Sequence, residues 1–221
     1  MKELNNIKFW LFDLDNTLYS GDTKVFDQVD KKMSKFISEK LSVSLDEAKK
    51  IQKNYFHEYN TTLNGMIKNH DIDANEFLEF VHDVNLEFLK KDESLEKEIA
   101  RLKGKKIIFT NGSKAHAANV TSRIGIEQLF DGVFDIVDSD FYPKPSIEPY
   151  RKIIENYKIE PEYCIFFEDI ARNLKPAYEL GMKTVWIKND EPWAAKYSDA
   201  DFINYKTGSL TKFLKEINEN R

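Results

Sequence analysis

A short apolar run, Ile7-Lys-Phe-Trp-Leu-Phe, opens the chain and ends on a carboxylate at Asp13. It reads as a buried strand. Lys106-Ile-Ile-Phe-Thr110, Tyr163-Cys-Ile-Phe-Phe167 and Lys183-Thr-Val-Trp-Ile187 have the same character, and Gly132-Val-Phe-Asp-Ile-Val137 shows it more weakly. Helical stretches lie between these runs, from Ser94 to Lys103, Lys114 to Ile124 and Ala171 to Leu180. Each is followed by a glycine (Gly104, Gly125, Gly181), the residue best able to take the left-handed conformation that stops a helix. Strands alternating with helices predict an α/β domain around a parallel sheet.

The alternation fails between about Asp22 and Asp92, where the pattern is helical throughout. Val25, Val29, Met33, Phe36 and Ile37 share one helix face. Ser44-Leu-Asp-Glu47 has the form of a capping box and predicts a second helix to about Tyr59. Asp73-Ala-Asn-Glu76 opens another, with Phe77, Phe80, Val81 and Val84 on its apolar side. The expected organisation is a Rossmann-like core of residues 1–21 and 93–221, with residues 22–92 inserted as an all-helical unit.

Composition adds limits. The 221 residues are 41% hydrophobic and 32% charged, enough apolar material for a core, with far too few Pro and Gly for disorder. A net charge of -5 gives no reason to expect nucleic acid or an anionic membrane as a partner, so binding a phosphate would require locally concentrated positive charge. One cysteine, Cys164, excludes an intramolecular disulfide and reads as a buried thiol in a strand. The first residues lack a signal-peptide pattern and no run approaches the ~20 apolar residues of a membrane span, so a cytoplasmic enzyme is expected.

In a parallel sheet, ligands bind at the carboxyl edge of the strands. The predicted strands end there in Asp13-Leu-Asp-Asn-Thr17, Thr110-Asn-Gly-Ser113 and Glu168-Asp169, with Pro143-Lys-Pro145 between the last two. Four carboxylates, a hydroxyl and an ammonium group at one edge call for a cation, and oxygen ligands such as Asp13 and Asp169 suit Mg²⁺. Taken singly, Thr110 could be a capping hydroxyl, Lys144 a surface lysine and Asn173 a residue without a role.

Together these segments resemble the haloacid dehalogenase superfamily. Phe12-Asp-Leu-Asp-Asn-Thr-Leu-Tyr19 is similar to its first motif, Thr110-Asn111 to its second, Lys144 to its third and Glu168-Asp169 to its fourth, in the family's order. The resemblance implies that Asp13 attacks phosphorus and becomes an aspartyl phosphate. Asp15 would protonate the leaving alkoxide and then deprotonate the hydrolytic water. It implies a Mg²⁺ held by Asp13, the backbone carbonyl of Asp15 and Asp169, with Glu168 reaching it through water. Thr110 and the backbone at Asn111 would bind phosphate, Lys144 would span nucleophile and phosphoryl group, and Asn173 would support the metal loop.

The helical insertion stands where the superfamily carries its cap. Tyr55-Phe-His-Glu-Tyr-Asn-Thr-Thr-Leu-Asn-Gly-Met66 and Phe80-Val-His82 resemble the cap of the pyrimidine 5′-nucleotidase-like branch. That implies a nucleoside monophosphate substrate, UMP or CMP. By their chemistry Thr61-Thr62 and Asn64 offer hydrogen-bonding groups for a sugar or base, and Thr62, Asn64 and His82 are the expected specificity residues. Thr61 reads equally as a helix cap, and Ile147 replaces a proline common in the relatives' third motif. Taken singly, His57, His70, His82 and His116 read as surface or partly buried side chains and not as catalysts. A phosphatase of sugar phosphates, a β-phosphoglucomutase-like phosphotransferase and a non-catalytic binding domain remain alternatives.

Overall fold

The computed structural model describes residues 2–220. Its elements begin with β1 (Phe9–Phe12), followed by α1 (Val25–Leu41), α2 (Leu45–Tyr59), α3 (Thr62–His70) and α4 (Ala74–His82). Then come α5 (Glu93–Arg101), β2 (Lys105–Phe109), α6 (Lys114–Ile124), β3 (Gly132–Phe134) and α7 (Ile147–Tyr157). The chain ends with β4 (Cys164–Glu168), α8 (Leu174–Glu179), β5 (Lys183–Ile187), α9 (Pro192–Ala195), β6 (Tyr205–Thr207) and α10 (Leu210–Glu219).

The strands form one six-stranded sheet in the order β3-β2-β1-β4-β5-β6, every neighbouring pair parallel. β1 is central because its four side chains are all apolar and buried, as a strand covered on both faces must be. Alternate residues face opposite layers. Trp10, Phe12, Ile165 and Phe167 pack with Phe213 on one side, and Leu11, Phe109, Cys164 and Phe166 with Tyr150 on the other. Phe12 stacks on Phe167 with ring centroids 4.9 Å apart, which binds β1 to β4 through side chains as well as the ladder. From β1 the strand order runs one way through β2 and β3, then reverses through β4 to β6. That reversal opens a crevice at the carboxyl ends of β1 and β4.

Helices α1 to α4 enclose their own apolar cluster, including Val29, Phe36, Ile37, Ala48, Met66, Phe77 and Val81. Local signals account for their ends. The Ser44 side chain accepts from the Glu47 amide at the start of α2, and Thr61 accepts from the Asn64 amide at the start of α3. Gly65 sits where α3 meets Tyr55 of α2, and a Cβ there would lie 2.3 Å from the Tyr55 ring. No other residue fits that approach.

Some elements depart from expectation. Asp92 caps α5, which ends at Arg101. The stretch from Ala171 starts as a 3₁₀ turn before α8. α7, β6 and α10 carried no sequence expectation. No helix among the described residues is long and apolar enough to cross a membrane.

Candidate active site

Asp13 immediately follows β1, and its amide still donates to Phe167 O at 2.9 Å, so the ladder fixes it at the sheet edge. Glu168 ends β4, the neighbouring strand, and Asp169 follows it. Carboxylate oxygens of Asp13, Glu168 and Asp169 all lie within 4.8 Å of one another, and all three residues are buried. Lys144 reaches between them from the loop before α7. Its Nζ donates to Asp13 Oδ1 at 2.7 Å, to Glu168 Oε2 at 2.7 Å and to Phe109 O at 2.8 Å. Those three bonds satisfy the whole ammonium group. Asn111 clamps the lysine's backbone: its Oδ1 accepts from the Lys144 amide at 2.9 Å, and its Nδ2 donates to Lys144 O at 3.4 Å.

Three buried acids thus face one ammonium. Burial, together with the charge of Glu168, pushes the Asp13 carboxyl up to about 7 against the pull of Lys144. Burial raises Asp169 well above the usual carboxylate range, with Glu168 and Asp13 adding to it. Lys144 loses to burial and gains more from Asp13 and Glu168, so it stays charged. The excess negative charge, carried on oxygen donors alone, fits a hard divalent cation such as Mg²⁺. Asp169 is oriented by Asn189, whose Nδ2 donates to its Oδ2 at 2.6 Å.

Asp15 has left the strand, and its Oδ1 accepts from the Tyr19 hydroxyl at 2.6 Å and from His116 Nε2 at 2.8 Å. Burial opposes its ionisation, but His116 by charge and hydrogen bond, with Tyr19, brings it down to about 2. Thr110 is buried, and its hydroxyl accepts from the Gly112 amide at 2.9 Å, which tightens the turn after β2. A cavity of about 330 Å³ lies over this edge. Asp13, Asp15, Thr110, Lys144, Glu168 and Asp169 line one side, and residues of α1, α2, α3 and α4 line the other.

Residues 7–181 match the model of the haloacid dehalogenase-like hydrolase family. The chain belongs to that family. Phosphate metabolism protein 8 of Saccharomyces cerevisiae is 32% identical over 232 residues, covering 95% of this chain and 71% of the yeast protein. Glyceraldehyde 3-phosphate phosphatase of Methanocaldococcus jannaschii is 26% identical over 227 residues, covering 94% and 96%. The crystal structure of a HAD phosphatase from Thermococcus onnurineus superposes with a TM-score of 0.63 at 21% identity, covering 96% of this chain and 98% of that one. Family and relatives together make this chain a phosphatase.

In this haloacid dehalogenase-like hydrolase, Asp13, Asp15, Thr110, Asn111, Lys144, Glu168, Asp169 and Asn173 all border the one cavity. Glu168 is engaged directly with Lys144, and its Oε1 accepts from the Ile170 amide at 3.1 Å. Asn173 is buried; its amide donates to Ile170 O and its carbonyl accepts from the Tyr150 hydroxyl at 2.5 Å, which ties the loop after β4 to α7.

The residues expected to set specificity divide. Thr62 and His82 line the cavity, whereas Asn64 does not. The Asn64 side chain instead donates to Tyr59 O at 2.9 Å and closes the turn between α2 and α3. His116, expected at the surface or partly buried, is 1% exposed and holds Asp15. Its spacing to Val120 and Ile124 places it on the buried face of α6, a signal present in the sequence. Along the cavity wall Arg172 lies over the Phe56 ring at 4.6 Å and donates to Asn60 O at 3.3 Å, and Trp193 meets Phe56 edge-on at 5.2 Å. Those contacts depend on how α2 packs against the sheet edge, which no local pattern encodes.

Proposed function

We propose that this phosphatase is a Mg²⁺-dependent pyrimidine 5′-nucleotidase that acts through an aspartyl phosphate on Asp13. The observation that carries the mechanism is the contact of the buried Asp13 with Lys144 inside a cluster of three acids. A nucleophilic carboxylate has to stay ionised beside a dianionic substrate, and such a cluster does so only with compensating positive charge. Asp13, Asp169 and the backbone carbonyl of Asp15 would hold the metal, with Glu168 as an outer partner that also fixes Lys144. The bound ion would supply charge neutralisation as phosphate and carboxylate approach.

The chain's own groups divide the remaining work. Asp13 forms a bond to phosphorus as the ester P–O bond breaks, and Asp15 gives its proton to the departing alkoxide. Asp15 is ionised in the ligand-free site, and the negative charge of an arriving phosphate favours its protonated form. In the second step Asp15 takes a proton from water, whose oxygen attacks phosphorus and frees Asp13. Thr110 and the backbone at Asn111 hold the phosphoryl oxygens, and Asn173 supports the loop bearing Asp169.

Residues 22–92 act in this proposal as a cap over a core of residues 1–21 and 93–221. The leaving group meets the cap wall, where Asp30, Gln52 and Thr62, hydrogen-bonded among themselves, form a polar patch beside the rings of Phe56 and Trp193. A planar base with polar edges, as in UMP or CMP, matches that mixture. Sugar phosphates are the second reading, favoured by the name of the Methanocaldococcus relative. Phosphate release from nucleoside monophosphates and sugar phosphates, with and without Mg²⁺, tests both. No release from any ester would overturn the hydrolase mechanism, and a better sugar phosphate would move the substrate. A requirement for a bisphosphate activator, with phosphate transferred and not released, would make it a phosphotransferase.

A further inference from the structure

We infer that His116 is a positioning residue for Asp15, and that His82 braces it from the helical insertion. The role rests on Asp15 being the acid and base proposed above. Both donors to Asp15, Tyr19 and His116, bond to the same oxygen, Oδ1. Oδ2 takes no hydrogen bond from the described residues, and Asp15 lines the cavity. A carboxylate held by two donors on one oxygen cannot rotate, so the other oxygen keeps one direction for proton transfer. His116 Nδ1 is buried without a partner, so Nε2 is the nitrogen that donates whether the ring is neutral or cationic.

The brace comes from the far side of the cavity. His82, the last residue of α4, stacks on His116 with centroids 4.4 Å apart and planes 11° from parallel. Its Nδ1 is 3.0 Å from Ser113 Oγ, the oxygen that also accepts from the His116 amide and caps α6. One imidazole thus touches both the ring and the backbone cap of the residue holding Asp15. The placement of α4 is thereby transmitted to the group that handles the proton.

The test compares leaving groups. His116→Leu should lower kcat for an alkyl phosphate roughly 10–100-fold, leave KM within a factor of about two, and cost much less with nitrophenyl phosphate. His116→Gln, whose amide nitrogen reaches about where Nε2 sits, should recover most of that loss, whereas the shorter His116→Asn should not. His82→Leu should repeat the leaving-group pattern at smaller amplitude. On an Asp15→Asn background, His116→Leu should cost nothing further. Equal losses for both leaving groups, or losses that multiply with Asp15→Asn, would overturn the inference and leave His116 a packing residue. If His116→Leu does not fold, Gln and Asn decide: equal losses from the two overturn it. Should Asp15→Asn itself show no leaving-group dependence, the acid and base assignment has failed first, a separate and distinguishable result.

Discussion

The ammonium of Lys144 lies 2.7 Å from Asp13 Oδ1, at a site where the lysine side chain is 1% exposed. It also bonds Glu168, so removing it leaves two buried carboxylates without their counter-ion. Breaking a buried pair in this way costs about 3–5 kcal/mol. Lys144→Met should therefore lower the melting temperature and abolish turnover together. Asp13→Asn should separate the two: turnover vanishes, because an amide is no nucleophile, while thermal stability holds or rises as one crowded charge is removed. Unimpaired turnover by purified Asp13→Asn would place the nucleophile elsewhere.

Metal dependence should show in stability as well as rate. An unfolded aspartate ionises at about 4, whereas burial and Glu168 hold Asp13 up to about 7 in the fold. Between those values the metal-free folded state binds the extra proton, so this group's contribution to stability falls as pH rises through that window. Magnesium needs the ionised set and reverses the trend. The increase in melting temperature on adding Mg²⁺ should be larger at pH 8 than at pH 5.5, and Asp169→Asn should remove most of it. An equal increase at both pH values would put the cation at another site.

Asp15→Asn should reduce kcat by ~10²–10⁴-fold for esters with alkoxide leaving groups, and by less for phosphorylation of the enzyme by nitrophenyl phosphate. Rapid-quench measurement of the first step separates the two. Equal damage to that step for both ester types would remove Asp15 from the role of acid.

UMP and CMP should be hydrolysed with higher kcat/KM than AMP and GMP. Gln52→Ala and Thr62→Ala, both at the cavity wall, should erode that preference. A lost hydrogen bond of ~1 kcal/mol is about fivefold in the ratio. Asn64→Ala should leave the preference unchanged and cost only about 0.5–1.5 kcal/mol of stability, because its side chain bonds Tyr59 O. A change of preference in Asn64→Ala with none in Gln52→Ala would invert this assignment.

What the sequence revealed follows from how local each feature is. β1 and Asp13 are legible because four consecutive buried side chains leave no polar face to confuse the pattern. Lys144 and Glu168 could be named from their motifs, but not their mutual contact, which arises where two distant segments meet. β6 escaped because it is a three-residue edge strand with no buried side chain to mark it. Asn64 misled because an amide in a loop offers the same hydrogen-bonding groups to a ligand and to a neighbouring carbonyl. His116 was discoverable from helical spacing, yet only the fold reveals that the buried face of α6 meets Asp15.

The place of Cys164 in β4 has a practical consequence. The thiol is fully enclosed, and burial raises its pKa, so neither thiolate nor access is offered to an electrophile in the native state. Reaction must wait until the central sheet opens. A slow alkylating reagent would then read out how often the strands beside the active site separate, using the molecule's own single sulfhydryl as the clock.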